Sequence, residues 1–308
     1  AARAARRRGA AAAGTVRAAD NRFMLDYWGL SLKQASEALR ARIAERGETP
    51  PAGRKWKVAV CGPQRPAEVA LGPDFAIGWE SSGADFAMRI FNADGSEAET
   101  CGNGIRCFAK YVFDRRMTHE KAFVILTGAG PNRVELATTD EGVVTSVRSN
   151  MGKPRFERSE IPMLGPPGRV IEEKLAIPGH TFVVTCVNIG NPHTVIFVDD
   201  AAAVPLAEIG PKLENHPSFP QRTNVEFVTV HDRDNIVMRI WERGSGITMA
   251  SGSGSCGAAL AAMLTGRINR RVNVHLVYGH LTVEWADDGF VYQEGPATEV
   301  YTGQWPDA

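Results

Sequence analysis

Two four-residue segments set a proton-transfer or hydroxyl side chain beside glycines: Cys101-Gly102-Asn103-Gly104 and Ser251-Gly252-Ser253-Gly254. Each leads into a helix-forming stretch, Ile105 to Arg116 in the first and Ser255 to Leu264 in the second. Glycines just ahead of a helix leave its first N–H groups unobstructed, and those groups with the helix dipole make a site for an anion such as a carboxylate. The same dipole stabilises thiolate, so the sequence predicts a lowered pKa for Cys101 and a base that works near neutral pH. Gly-x-Gly is also common turn punctuation, and one copy alone would read that way. Two copies, one headed by a thiol, weigh against it.

The segments sit inside a longer repeat. Met88-Arg89-Ile90 recurs as Met238-Arg239-Ile240 at a separation of 150 positions, and the same separation aligns Cys101 with Ser251. Each copy opens on an apolar, β-rich run, Phe86 to Phe91 or Ile236 to Trp241, and turns through Gly and Ser residues into its helix. Two pseudo-symmetric lobes that offer a helix start each across a cleft would hold a substrate carboxylate between them. Cys107, about 240° around the first helix from Cys101, faces elsewhere and is expected in the core.

The chain of 308 residues has room for two domains of roughly 150 residues each. Its 35 basic residues balance 35 acidic ones, so no net field draws it to nucleic acid or an anionic membrane, and a small-molecule partner is favoured. No apolar run reaches the roughly 18 residues that span a bilayer, and no signal-peptide core is visible. Cys61, Cys101, Cys107, Cys186 and Cys256 are odd in number and lack metal-site spacing, which predicts reduced thiols in a cytoplasmic protein. Ala1 to Ala19 hold five arginines and no acid. That stretch is expected to be disordered or helical; it has the arginines of a transit peptide without the serines. An amphipathic helix is expected over Ser31 to Arg46, with Ser31 as N-cap, and a strand over Lys57 to Cys61.

Phe91-Asn92-Ala93-Asp94-Gly95-Ser96-Glu97 followed by Cys101-Gly102-Asn103-Gly104-Ile105-Arg106-Cys107 resembles the signature of the diaminopimelate epimerases. Gly190-Asn191-Pro192-His193, Arg222-Thr223-Asn224-Val225, Trp241-Glu242-Arg243-Gly244 and Glu294-Gly295-Pro296-Ala297 match the same family in order, over roughly residues 80 to 305. The resemblance implies an α/β (α+β) fold of two lobes, each a mixed sheet wrapped around a central helix, with the active site in the cleft. The N-terminal lobe is then expected over residues 1–146 with 297–308, and the C-terminal lobe over 147–296. The implied activity is cofactor-free interconversion of L,L- and meso-diaminopimelate for lysine and peptidoglycan synthesis. Proton removal and return at the α-carbon would fall to Cys101 and residue 251. Substrate binding carries over to Asn92, Gly102, Asn103, Asn191, Asn224, Glu242, Arg243, Gly252 and Ser253. Arg243 suits a carboxylate held bidentately, while the asparagines and Glu242 suit the distal ammonium and carboxylate. His193 is either a supporting hydrogen-bond partner or a structural histidine. The resemblance requires no cofactor, and the Gly-x-Gly elements are too short for a dinucleotide fingerprint. A homodimer is allowed, and the sequence is otherwise silent on assembly.

Two departures from the family pattern matter. Ser251 stands where the family has a second cysteine, and an alcohol is a far weaker acid and base than a thiol near pH 7. Cys256 lies about 140° around the helix and about 7.5 Å further along, so it cannot easily substitute. The second departure is upstream. The family's His-Gly-Leu-Gly-Asn-Asp-Phe and Gly-Ala-Asp-Gly elements are missing from residues 1 to 80, as divergence, an altered reading frame or a fused segment would produce. Two other readings therefore stay open: a one-base dehydratase or isomerase of hydroxylated amino acids on the same fold, and an amino-acid-binding protein without turnover.

Overall fold

Alternation of side chains builds the strands. In β7 (Gly130–Thr138), Asn132, Val134 and Leu136 point inward while Arg133 and Ala137 face solvent, the pattern of a sheet covered on one face. The computed structural model describes residues 58–60, 68–70, 84–91, 97–98 and 101–298. Asn92, Cys61, Ala1 to Ala19 and the helix expected over Ser31 to Arg46 lie outside the described residues. The strand expected over Lys57 to Cys61 is present as β1 (Val58–Val60).

β1 pairs with β2 (Glu68–Ala70), which pairs with β4 (Arg89–Phe91), which pairs with β5 (Glu97–Ala98), all antiparallel. The other strands form one mixed sheet. It runs from β3 (Phe86–Ala87) through β6 (Ala122–Thr127), β7 and β8 (Val144–Gly152) to β17 (Val291–Gly295). It continues through β16 (Gly279–Trp285), β15 (Arg271–Leu276), β13 (Asn235–Glu242) and β12 (Asn224–Val230) to β11 (Pro192–Phe197), β10 (His180–Asn188) and β9 (Glu173–Ile177). β14 (Gly246–Thr248) adds to β13. The first repeat's apolar run is broken at Met88, because β3 pairs with β6 in the large sheet and β4 with β2 and β5 in the small one. Its counterpart β13 is continuous.

Each part of the sheet encloses a helix. α1 (Gly102–Asp114) buries Ile105, Phe108, Ala109 and Val112 against Phe123, Ile125, Val134 and Val147. Another helix, α2 (Leu206–Glu214), lies over β12 and β13, and Gly210 meets Trp241 so closely that a Cβ there would fall 2.5 Å from the ring. α3 (Gly252–Leu264) is apolar all round, as a helix surrounded by protein must be. It is also made of small residues, so the strands approach closely: a Cβ on Gly257 would lie 2.7 Å from the His193 ring. Leu260 is fully buried there, among Val187, Val195, Met238 and Ile240, and its burial contributes roughly 2 kcal/mol.

Candidate active site

α1 and α3 are each 13 residues long and start 150 positions apart, as the repeat requires. Both begin three residues earlier than the sequence pattern suggests. The glycines lie within the first turn rather than ahead of it, and Cys101 and Ser251 are the N-caps. Their backbones are extended and nearly identical, φ −148° and ψ 109° for Cys101 against φ −142° and ψ 121° for Ser251. Cys101 Sγ accepts from the Gly104 N–H at 3.3 Å, and Ser251 Oγ from the Gly254 N–H at 3.1 Å. Side-chain acceptors at this position satisfy an otherwise unpaired N–H and fix where the helix starts.

The two starts meet. A Cβ on Gly102 would lie 3.6 Å from the Cα of Gly252. Between them sits the fully buried side chain of Gln293 on β17, whose Oε1 accepts from Arg106 Nη1 and whose Nε2 donates to the Gly252 carbonyl, each at 2.6 Å. Arg106 also donates through Nη2 to Asn103 Oδ1 at 2.8 Å. Two positive helix ends directed at one place repel each other and favour an anion there.

The other site residues come from one end of three neighbouring strands. β11 and β12 run parallel and pair His193 with Asn224 at their starts, and β13, antiparallel to β12, ends there at Glu242. The Asn224 amide donates to the Pro192 carbonyl at 2.9 Å and accepts from the Arg243 N–H at 2.9 Å, so it ties the three strand ends together. Arg243 reaches the Gln221 carbonyl at 3.1 Å through one guanidinium nitrogen. His193 is fully buried and bonded at both ring nitrogens, to Glu226 at 2.6 Å and to Asn191 Oδ1 at 2.8 Å. Asn191 Nδ2 in turn donates to Ser253 Oγ at 3.3 Å, linking this network to the start of α3. Cys101, Ser251, Gly102, Asn103, Asn191, His193, Asn224, Glu242, Arg243, Gly252 and Ser253 are thus gathered at the helix starts and the adjoining strand ends.

Glu242 is partly buried and accepts from Thr248 Oγ1 at 2.5 Å and from the Ser251 hydroxyl. Burial pushes its carboxyl above the usual carboxylate range, against those two bonds and the nearby His193. The fully buried Glu226 is also held above that range by burial, against the attraction and hydrogen bond of His193. Cys101 departs from the sequence expectation. Its thiol is pushed up, not down, because burial outweighs the Gly104 N–H bond and the Arg106 charge, and the Glu242 charge adds to the rise. Cys107 departs too, being partly exposed while its neighbour Phe108 takes the core position. Cys256 is fully buried, touches Gln293 and has a thiol pushed up to about 12, which removes it as a second base.

Gln293, Glu226, Thr248 and Glu214 were not singled out by sequence reasoning. Gln293 had a signal, since it falls between Val291 and Gly295 in the inward phase of its strand. Glu214 anchors the strand end by accepting from Trp241 Nε1, the Gly244 N–H and Arg222 at 2.7, 2.8 and 2.9 Å. Among the described residues, no group of three His, Cys, Asp or Glu side chains is arranged to hold a metal ion, and no helix is long and apolar enough to cross a membrane.

With paired helix starts headed by Cys101 and Ser251 in view, comparison with known proteins is decisive. The diaminopimelate epimerase family model matches residues 69–157 and 185–300. The chain belongs to the diaminopimelate epimerase family. It is 53% identical over 226 residues to a diaminopimelate epimerase of Pelotomaculum thermopropionicum, covering 73% of this chain and 80% of that one. It is 49% identical over 227 residues to that of Moorella thermoacetica, covering 73% and 81%. Among solved structures, a probable proline racemase from Agrobacterium radiobacter shares the fold at TM-score 0.56 and 15% identity, covering 90% of this chain and 82% of the other. A predicted epimerase from Pseudomonas aeruginosa does so at TM-score 0.54 and 14% identity, covering 93% of each. The two-part mixed sheet around central helices is the fold of diaminopimelate epimerases and their racemase neighbours.

Proposed function

We propose that the chain epimerises diaminopimelate at its α-carbon, without a cofactor, as a cytoplasmic enzyme of lysine and peptidoglycan synthesis. The observation that carries this reading is the meeting of two helix N-termini headed by Cys101 and Ser251, on a chain half identical to diaminopimelate epimerases. The α-carboxylate sits at the two helix starts, where free N–H groups stabilise it and the negative charge that builds on it as the α-proton leaves. Cys101 works on one face of the α-carbon and residue 251 on the other. Asn191, Asn224 and Arg243 orient the rest of the substrate, with Asn92, Asn103 and Ser253 completing the set. The described residues up to about 146, with 297–298, form one lobe, and 147–296 the other.

Chromatographic separation of the stereoisomers after incubation with pure L,L-diaminopimelate tests the proposal. The expected result is approach to a stable mixture with the meso isomer, from either starting isomer. Ser251 keeps a second reading in view, a one-base enzyme of the same fold. Elimination products or α-exchange without inversion would favour that reading.

A further inference from the structure

Two titratable side chains, Glu226 on β12 and His193 on β11, lie behind the site with no exposure to solvent. Both point toward α3, in phase with the core residues Val228 and Val195. A Cβ on Gly257 of α3 would lie 2.7 Å from the His193 ring, so the ring is held by packing as well as by bonds. An uncompensated charge in such a place is costly, so the protons of the pair have to be accounted for.

The hydrogen bonds locate those protons. Asn191 Nδ2 donates to Ser253 Oγ at 3.3 Å, which leaves its Oδ1 facing His193 Nε2 at 2.8 Å. A carbonyl oxygen only accepts, so Nε2 carries a hydrogen. On the other side of the ring Nδ1 meets Glu226 Oε1 at 2.6 Å, and a second hydrogen lies in that bond, on the ring or on the carboxyl. With both protons the pair is neutral as a whole. Burial favours this state by raising the Glu226 carboxyl against the pull of His193, and the Glu242 charge adds to the rise. Glu226 Oε2 is buried with no hydrogen-bond partner among the described residues, a poor place for a carboxylate charge. If the pair kept one proton, on Nδ1, then Nε2 would be a bare acceptor facing another acceptor. The Asn191 amide would have to turn over, bringing its oxygen to Ser253.

We propose that Glu226 is a positioning residue of the reaction: the doubly protonated Glu226–His193 pair holds Asn191 with its NH2 end at the start of α3, where the substrate carboxylate binds. This rests on the epimerase reading above, which puts the carboxylate at the helix starts. One Asn191 N–H is taken by Ser253 Oγ, and the other is left for the anion. A turned-over amide would present an oxygen lone pair instead, and would repel the charge that builds on the carboxylate as the α-proton leaves. Glu226 itself touches no substrate and acts through His193 and Asn191.

Nitrogen-15 NMR of histidine-labelled chain reads the proton positions without reference to activity, with the His193 signals identified by their loss in His193→Gln. Folded wild type near neutral pH should carry hydrogen on Nε2, and so should Glu226→Gln, whose amide donates to Nδ1 in place of the carboxyl. His193 bare at Nε2 in the wild type would overturn the proposal and leave the epimerase reading intact. Isomer-resolved rates test the consequence, with each variant checked for fold by circular dichroism. Glu226→Leu fills the space without a bond and should lose about 100-fold in kcat/KM, the scale set by displacing a positioned group by about 1 Å. Glu226→Gln should recover the rate to within about tenfold of wild type. In an Asn191→Ala background Glu226→Leu should cost less than about threefold, because the group it positions is gone. Equal losses in the two backgrounds would mean that Glu226 serves the fold alone, and would overturn the proposal. Should Glu226→Leu fail to fold, the wild-type nitrogen-15 spectrum decides. A folded wild type that inverts neither isomer would overturn both this proposal and the epimerase reading.

Discussion

Gly102 and Gly252 stand back to back: a Cβ on Gly102 would lie 3.6 Å from the Cα of Gly252, and one on Gly252 would lie 3.4 Å from the Cα of Gly102. The Cβ on Gly102 would also fall 2.9 Å from Gln293 Oε1, which Arg106 holds by a 2.6 Å bond. Alanine normally favours a helix over glycine by about 1 kcal/mol. Gly102→Ala should nonetheless lose roughly 1–3 kcal/mol, because a buried, bonded side chain must move. Urea unfolding measures the loss, and kcat/KM should fall with it as the two helix starts separate.

Gln293 is the buried strut of the same junction. Gln293→Leu keeps the volume but leaves the Gly252 carbonyl and one Arg106 nitrogen without this partner, at a cost of roughly 2–4 kcal/mol. Thermal unfolding with the wild type as reference reads it. A variant of unchanged stability would show that the bridge contributes nothing net.

Alkylation of Cys101, followed by peptide mass mapping, should accelerate through pH 9 instead of levelling off near neutrality. Only thiolate reacts, and burial holds this thiol above its ordinary value. Cys186 and Cys256 are buried, with thiols pushed up to about 12, and should stay unlabelled while the chain is folded.

Glu226 gives a stability test. Glu226→Ala removes half of a buried pair and should cost roughly 3–5 kcal/mol, whereas Glu226→Gln retains a partner for His193 and should cost less. Because burial raises the folded-state carboxyl, folding favours its protonated form. The stability this contributes is complete below the unfolded value and is lost as pH rises through the folded one. Wild type should therefore lose stability relative to Glu226→Gln as pH rises from about 4.5, the ordinary value of the group.

The helix starts were legible in the sequence because few residues fit them. An N-cap acceptor and a helix start without a Cβ impose Cys or Ser followed by Gly-x-Gly, and the repeat wrote that requirement twice. The pKa of Cys101 was not legible, because spacing reveals the helix dipole while burial, the larger effect here, depends on what closes over the thiol. Glu226 and Gln293 were hidden for a related reason. A polar residue in the inward phase of a strand reads as an exception until its partner, His193 or Arg106, is brought in from more than 30 residues away. The break at Met88 was equally unreadable, since it depends on which sheet each half of the run joins.

Ser251→Cys should raise epimerisation, with the larger gain in the direction where residue 251 removes the proton. General-base catalysis is worth roughly 10²- to 10⁴-fold, and each tenfold gain corresponds to about 1.4 kcal/mol of barrier. Rates from L,L- and meso-diaminopimelate, with Cys101→Ala as the blank, give the two directions separately.

The most direct test of chemistry on two faces is isomer-resolved deuterium incorporation. Wild-type chain is incubated with L,L-diaminopimelate in deuterated water, stopped well before equilibrium, and both isomers are examined by NMR and mass spectrometry. Two-faced chemistry predicts α-deuterium in the inverted product ahead of the recovered substrate, and none in either isomer when Cys101 is replaced by alanine. Deuterium accumulating in recovered L,L-diaminopimelate without inversion, or inversion that survives Cys101→Ala, would contradict it.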